Sequence, residues 1–426
     1  MLCKSSFLAF GPVFLLAAAA LAGEPLFDSQ RGHPWDQARD AFYVRRFSTG
    51  EVFEHPHAST PPWHEYTPFV SNAAFHEKVV LLLDAAEKLP PTQMEEQPAV
   101  RRLVLLRDLW AAFDGIHLFY SAWDGPKVDK VALEQPIARR DALRRRLARV
   151  MKRLELTDDE VRSLPNAFQI ITEKKLYPNS FDPAAGDKTF FPSDLLDKNG
   201  PWLTYASEKE PSAGGTLHTD SVNQRSVFTL HLRTPGGREG GLKFLQDYIR
   251  ADRQLNIPPG STLALLNRAV VPTRSGKLLV SPVVESLQMI VVTPPNDHHF
   301  KFMLDRKELL AGNLGLKPLG KDDPADFSGF GGAVLWGHPV DPRKADVDGE
   351  SFIGGNYNTV RDMPRALEVC ARCHQETVRT VIIARGGAPL PYVQSDQGKA
   401  DSTVIKKKEA SEEWRSYLRL RTAQAN

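Results

Sequence analysis

Apolar positions recur at helical spacing in the first half of the chain and alternate like strands in the middle. A helix capped by Ser71 is predicted through Leu89, with Val79, Val80, Leu82 and Leu83 on its apolar face and Pro90-Pro91 as its stop. A second runs from about Ala99 to Tyr120, where Leu103, Leu106, Leu109, Trp110 and Phe113 follow the i, i+3, i+4, i+7 rule. A third covers about Pro136 to Leu154. Thr157-Asp158-Asp159-Glu160 then has the pattern of a capping box and opens a short fourth. Pro136 and Pro165 are read as helix boundaries, and this half as a helical bundle.

From Phe181 to Gly215, Pro, Gly, Asp and Ser crowd together as in a long connecting loop. Strand signals follow. Ser226 to Arg233 alternates, with Phe228, Leu230 and Leu232 on one face. Turns at Pro258-Pro259-Gly260, Ser275-Gly276 and Pro294-Pro295-Asn296-Asp297 set off strands over Ser261 to Val271, Lys277 to Val292 and His298 to Leu304. A helix over Gly241 to Arg253 fits across this sheet. Between Gly312 and Gly355 periodicity fades. Asp362-Met363-Pro364 then opens a helix through Cys370 to about Ala384, ended by Gly386-Gly387. A last helix spans about Ser402 to Thr422, with Trp414, Tyr417, Leu418 and Leu420 as its buried side.

The expected fold class is therefore α+β and multidomain: a helical N-terminal bundle, an antiparallel β-rich middle and a small helical module at the C-terminus. The boundaries are 1–22 for a signal peptide, 23–66 for an irregular arm rich in Pro, His and aromatic residues, and 67–180 for the helical domain. A β-rich domain takes 181–311, a Gly-rich connection 312–360 and the last module 361–426.

The opening residues change the picture first. Lys4, the apolar run from Phe7 to Ala20 and the small-residue site Ala20-Leu21-Ala22 form a secretory signal, with the mature chain starting near Gly23. That run falls short of the roughly 20 residues that span a bilayer, so a periplasmic or secreted product without stable membrane insertion is expected. Charge adds little. The 54 basic and 52 acidic side chains nearly balance, which disfavours nucleic acid as a partner. The basic run Arg139, Arg140, Arg144, Arg145, Arg146, Arg149, Lys152, Arg153 is interleaved with Leu143, Leu147, Val150 and Leu154. It reads as an amphipathic helix with a solvated basic face; its functional alternative is a docking face for an acidic redox partner.

Cysteine usage is the sharpest compositional fact. Of three cysteines, Cys3 goes with the signal, leaving Cys370 and Cys373 with His374 directly after them. A disulfide-stapled exported chain would spread several pairs along its length. Cys370-Ala371-Arg372-Cys373-His374 instead places two thiols nearly on one helical face, where they can bond to the two vinyl-derived carbons of one porphyrin. The following imidazole is carried under the iron. A reducible disulfide pair is one rival, although no strand pattern precedes the motif as a thioredoxin-like pair requires. A zinc half-site completed by His338 or by His298-His299 is another.

Over about Arg361 to Arg421 the chain resembles the c-type cytochromes, with specificity confined to the attachment motif. The resemblance implies one covalent haem c, with thioethers from Cys370 and Cys373 and His374 as axial ligand to the iron. Glu412 to Leu418 is similar to the closing helix that crosses the attachment helix in small cytochromes. Two departures stand out: only about fifty residues follow His374, and none is methionine, the familiar second ligand. Upstream candidates are Met289, Met303, Met363, His117, His218, His298, His299 and His338.

Two weaker patterns are present. His218-Thr219-Asp220 followed by His298 and Arg306 imitates the two-His-one-carboxylate site of non-haem iron oxygenases. Gly236 to Gly241 lacks the Lys-Ser/Thr ending of a phosphate-binding loop and is read as a plain loop. The expected function is electron transfer with an unknown redox partner protein. The alternatives are a haem enzyme or gas or peroxide sensor with an open axial position, and a non-redox periplasmic binding protein or non-haem iron oxygenase.

Overall fold

The computed structural model describes residues 33–46, 52–54, 73–118, 130–185, 188–205, 226–250, 257–294, 297–320, 401–402, 405–406 and 408–422. The expected signal peptide, most of the arm, most of the Gly-rich connection and the helix from Asp362 to Ala384 lie outside these residues.

The described residues open with α1 (Pro34–Tyr43) and a small antiparallel pair, β1 (Val44–Arg46) with β2 (Val52–Glu54). Helices α2 (Ala73–Glu87), α3 (Pro91–Met94), α4 (Ala99–Leu118), α5 (Lys130–Leu154), α6 (Asp158–Arg162) and α7 (Ala167–Lys174) follow. Then come β3 (Leu203–Tyr205), β4 (Ser226–Arg233), α8 (Gly237–Arg250), β5 (Thr262–Pro272), β6 (Leu278–Val291) and β7 (His298–Leu304). Last are α9 (Arg306–Leu310), β8 (Leu316–Pro318) and α10 (Glu412–Thr422). Six strands form one antiparallel sheet in the order β3-β4-β5-β6-β7-β8, so the architecture is α+β. No helix among the described residues is long and apolar enough to cross a membrane.

Local chemistry sets the starts of α6 and α7. Thr157 and Glu160 form the reciprocal capping box at the start of α6, each satisfying the other's backbone N–H. Asn166 caps α7 by accepting from the N–H groups of Phe168 and Gln169. Three expectations change. Helix α5 begins at Lys130 and runs through Pro136, which therefore lies inside the helix; a proline early in a long helix removes one backbone donor but leaves most of the ladder intact.

The glycine run Gly236 to Gly241 is the approach and first turn of α8 rather than a loop. A Cβ on Gly241 would stand 2.7 Å from Leu203 Cδ1, and one on Gly240 would stand 2.9 Å from Thr234 Oγ1. The glycines bring the helix against the sheet edge.

The third change concerns β4. Its alternation is as expected, yet Val227, Thr229 and His231, opposite the apolar Leu230 and Leu232, are fully buried. The sheet has two covered faces, so polarity along β4 does not report exposure.

Among the described residues, two large apolar clusters carry most of the packing. In the first, α1, α2, α4, α5 and α6 enclose Leu83, Leu106, Phe113 and Leu147 together with Val270, Val271, Leu278 and Val283 from the far end of the β5–β6 hairpin. The core therefore runs across position 180, where the sequence suggested a domain boundary. Helix α10 joins it: Trp414 lies 6.1 Å from Trp110 and Tyr417 lies 5.9 Å from Phe113, centroid to centroid. In the second, α7 and the segment around Phe190, Phe191, Leu195 and Trp202 cover one sheet face, formed by Ala264, Leu266, Leu287, Met289, Phe300 and Phe302.

A buried ion triad ties the first cluster to the sheet. The Asp108 carboxylate on α4 accepts from Arg39 Nε of α1 at 2.7 Å and from Arg306 of α9, and all three side chains are buried. Removing the shared anion leaves two guanidiniums in a low-dielectric interior. Asp108→Ala should lower the free energy of unfolding by about 3–5 kcal/mol. Urea denaturation of the purified variant checks this, and a loss of under ~1 kcal/mol would contradict the shared-anion role.

Candidate functional site

Cys370, Cys373 and His374 lie outside the described residues, as do Met363, His338, His218 and Asp220; His117 lies on α4. The structure does place the other side chains proposed upstream of the motif. Pairing of β6 with β7 sets Met289 opposite Phe300 and Ser286 opposite Met303. Strand alternation then puts Met289 and His298 on the face covered by α7, and Met303 and His299 on the other. Met289 sits inside the phenylalanine-rich cluster, 1% exposed. His298 packs on Phe181, 4.7 Å between centroids, and stacks parallel to Phe300. His299 is half-buried, and burial depresses its pKa below the ordinary histidine value. Arg306, placed in the oxygenase-like pattern, is turned into the ion triad with Asp108.

The basic helix also departs from expectation. Arg146 pairs with Asp84 at 2.7 Å, Arg149 with Glu87 at 2.6 Å and Arg153 with Glu95 at 3.0 Å. Arg144 is buried with its guanidinium 4.2 Å from the centre of the Phe113 ring. Much of the run therefore binds α5 to α2 and the turn after it. Arg145 and Lys152 remain exposed.

Sequence reasoning passed over three buried polar groups. On α4, Arg107 faces the sheet: its Nη2 donates to Ser226 Oγ at 2.7 Å and its Nε lies 2.6 Å from Glu285, while Ser226 Oγ donates to the same carboxylate. At the end of α5, Glu155 accepts from Tyr417 Oη at 2.8 Å and from Arg421, both on α10. Burial pushes the Glu155 carboxyl up while Tyr417 and Arg421 pull it back, and burial beside that carboxylate holds the Tyr417 phenol well above 10.0. The available signal was positional: Arg107-Asp108 stands between Leu106 and Leu109, within a helix otherwise apolar on most sides.

The third group is His231, fully buried on β4. Its Nδ1 lies 3.1 Å from Thr204 Oγ1 and its Nε2 lies 3.0 Å from Thr229 Oγ1. A neutral imidazole donates once and accepts once, so two hydroxyls satisfy both nitrogens. Burial, with Arg268 nearby, lowers its pKa to about 3. These groups are closed off from water and hold elements together. Among the described residues, no three His, Cys, Asp or Glu side chains are grouped to hold a metal ion.

No family model, curated protein or solved structure matches the chain.

His231 makes stability depend on acid. Unfolded, the imidazole takes up a proton as pH falls through about 6.5; folded, it stays neutral down to about 3. Its contribution is complete above pH 6.5 and is lost as pH falls from there toward 3. Moving from pH 7 to pH 5 should therefore cost about 2 kcal/mol through this residue. Unfolding curves at the two pH values, compared with those of His231→Gln, would disprove the assignment if the variant kept the full acid loss.

Proposed function

We propose that the chain is an exported protein that carries one haem c on Cys370, Cys373 and His374 and serves one-electron transfer. One observation carries this reading: the only two cysteines left after the expected signal stand as Cys-Ala-Arg-Cys-His. The donor set suits the group. Two thiols can form thioethers to its vinyl-derived carbons, and an imidazole nitrogen is a strong axial donor to iron. When bound, the haem supplies a ferrous–ferric couple. Export supports the reading, since the leader features deliver the thiols to a compartment where covalent attachment takes place.

The chain's own part is to fix the segment that bears the motif. Upstream, Leu319 N–H donates to Lys301 O on β7. Downstream, Asp401 pairs with Arg268 on β5, Glu409 accepts from Leu278 N–H, and α10 is locked into the first core cluster. Fixed attachment on both sides suits a carrier whose environment must change little between oxidation states.

A second reading is a haem enzyme or a sensor of oxygen, nitric oxide or peroxide. Two facts favour it. None of residues 375–426 is methionine, and Met289 is sealed among phenylalanines on a covered sheet face.

Expression with the haem-attachment machinery separates these outcomes. The mature protein should show one haem per chain by alkaline pyridine spectrum and stain for haem after denaturing electrophoresis. The double variant Cys370→Ala, Cys373→Ala should lose the stain. A colourless product with two titratable thiols would overturn the haem reading. Immediate carbon monoxide binding by the ferrous protein would select the enzyme or sensor over the carrier.

A further inference from the structure

The rings that α10 buries form a row with those of α4. Trp414 and Tyr417 stand three residues apart on α10 and share one helical face; Trp110 and Phe113 do the same on α4. Ring centroids lie 6.1 Å apart for Trp110 and Trp414, 5.4 Å for Trp414 and Tyr417, and 5.9 Å for Phe113 and Tyr417. All are ring contacts. Indole and phenol give up an electron far more readily than a phenyl ring or an aliphatic chain. Trp110, Trp414 and Tyr417 are therefore three oxidisable groups in unbroken contact, each no more than 3% exposed.

The row ends on a base. Tyr417 Oη donates to a Glu155 carboxylate oxygen at 2.8 Å, within the reach that proton abstraction needs. Arg421 donates to the same oxygen, while Arg102 and Arg274 donate to the Glu155 backbone carbonyl. The Tyr417 phenol, held well above 10.0, keeps its proton until an electron leaves. For packing alone, a phenylalanine at 417 would fill the same space without the burial of a carboxylate, which is costly in a low-dielectric interior.

We propose that Trp110, Trp414 and Tyr417 relay one oxidising equivalent, with Glu155 as the proton acceptor at the end of the row. An outer-sphere one-electron oxidant at the surface removes an electron from Trp414. That ring lies beneath a single helix, roughly 10 Å across, whose outer side carries the exposed Glu412, Arg415 and Arg419. The Trp414 radical cation then takes an electron from Tyr417 as the phenolic proton passes to Glu155. The oxidant is reduced by one electron, and the chain is left with a neutral tyrosyl radical and a neutral Glu155 carboxyl. Because proton and electron leave Tyr417 together, no unpaired charge is created on the buried phenol ring. Trp110 exchanges the same electron with Trp414 and extends the row inward to α4. An outer-sphere one-electron donor later refills Tyr417, and Glu155 returns the proton. The relay needs no haem at Cys370 and Cys373 and stands apart from that reading.

Rapid freeze-quench electron paramagnetic resonance of the full-length protein tests the relay. Photogenerated tris(bipyridine)ruthenium(III) is the oxidant, and ring-deuterated tyrosine marks the tyrosyl signal. That signal should form, more slowly in deuterium oxide, and Tyr417→Phe should lose most of it. Trp414→Phe should lower its yield several-fold, as should Glu155→Gln, which keeps an accepting oxygen but takes up no proton. A tyrosyl signal as large in Tyr417→Phe, or untouched by Trp414→Phe, would overturn the relay and reduce the row to packing. Should the variants fail to fold, peptide mass spectrometry of the oxidised wild-type chain decides. Oxidation products at Trp414 and Tyr417 would support the relay, and products confined to exposed aromatic side chains would overturn it.

Discussion

The fold depends on one carboxylate, that of Asp108, held between two guanidiniums in the interior. Arg39 reaches it from α1 near the start of the described chain, and Arg306 reaches it from α9, directly after the last long strand. Three elements far apart in sequence are fixed by a single anion. Burying these charges is costly, so the triad contributes little net stability over an apolar replacement. Its value lies in orientation, because any shift of α1 or α9 strands a charge. The neighbouring Arg107 repeats the device one residue earlier, joining α4 to Ser226 and Glu285 on the sheet.

Around this pin the apolar packing divides the sheet by position rather than by domain. The long β5–β6 hairpin extends past its neighbours, and its far end enters the helical core through Val270, Val271 and Leu278, while its middle belongs to the phenylalanine cluster. Register shifts between Asn267, Arg268 and Val270 bend the hairpin where it passes from one cluster to the other.

Much of this was legible in the sequence, and the failures have physical causes. Strands with strong alternation and turn residues at both ends, Ser226–Arg233 and His298–Leu304, fall where the pattern puts them. The capping box at Thr157 is local chemistry and needs no tertiary context. By contrast, β3 and β8 have three residues each, too few for any periodicity, and exist because an edge of the sheet needed pairing. The glycines in the first turn of α8 resemble a loop because the reason for Gly241, close approach to Leu203, is a contact made far away. Buried charges are hidden for the same cause: nothing local to Glu155 shows that it is buried, because its partners Tyr417 and Arg421 lie far along the chain. The Cys370-to-His374 motif was legible as chemistry and not as structure, since spacing names its donors without placing them.

The position of α10 has a consequence for the order of events during biogenesis. Trp414 and Tyr417 complete the helical core, and Glu155 meets its partners only when Tyr417 and Arg421 are in place. In a chain that emerges from its N-terminus, α1 to α6 and the β5–β6 hairpin are all available before α10. Until that helix arrives, the apolar surface under Trp414 and Tyr417 stays open and the Glu155 carboxylate lacks both of its α10 partners. The helical core is thus closed by a segment distant in sequence, which couples its completion to the arrival of residues beyond the sheet.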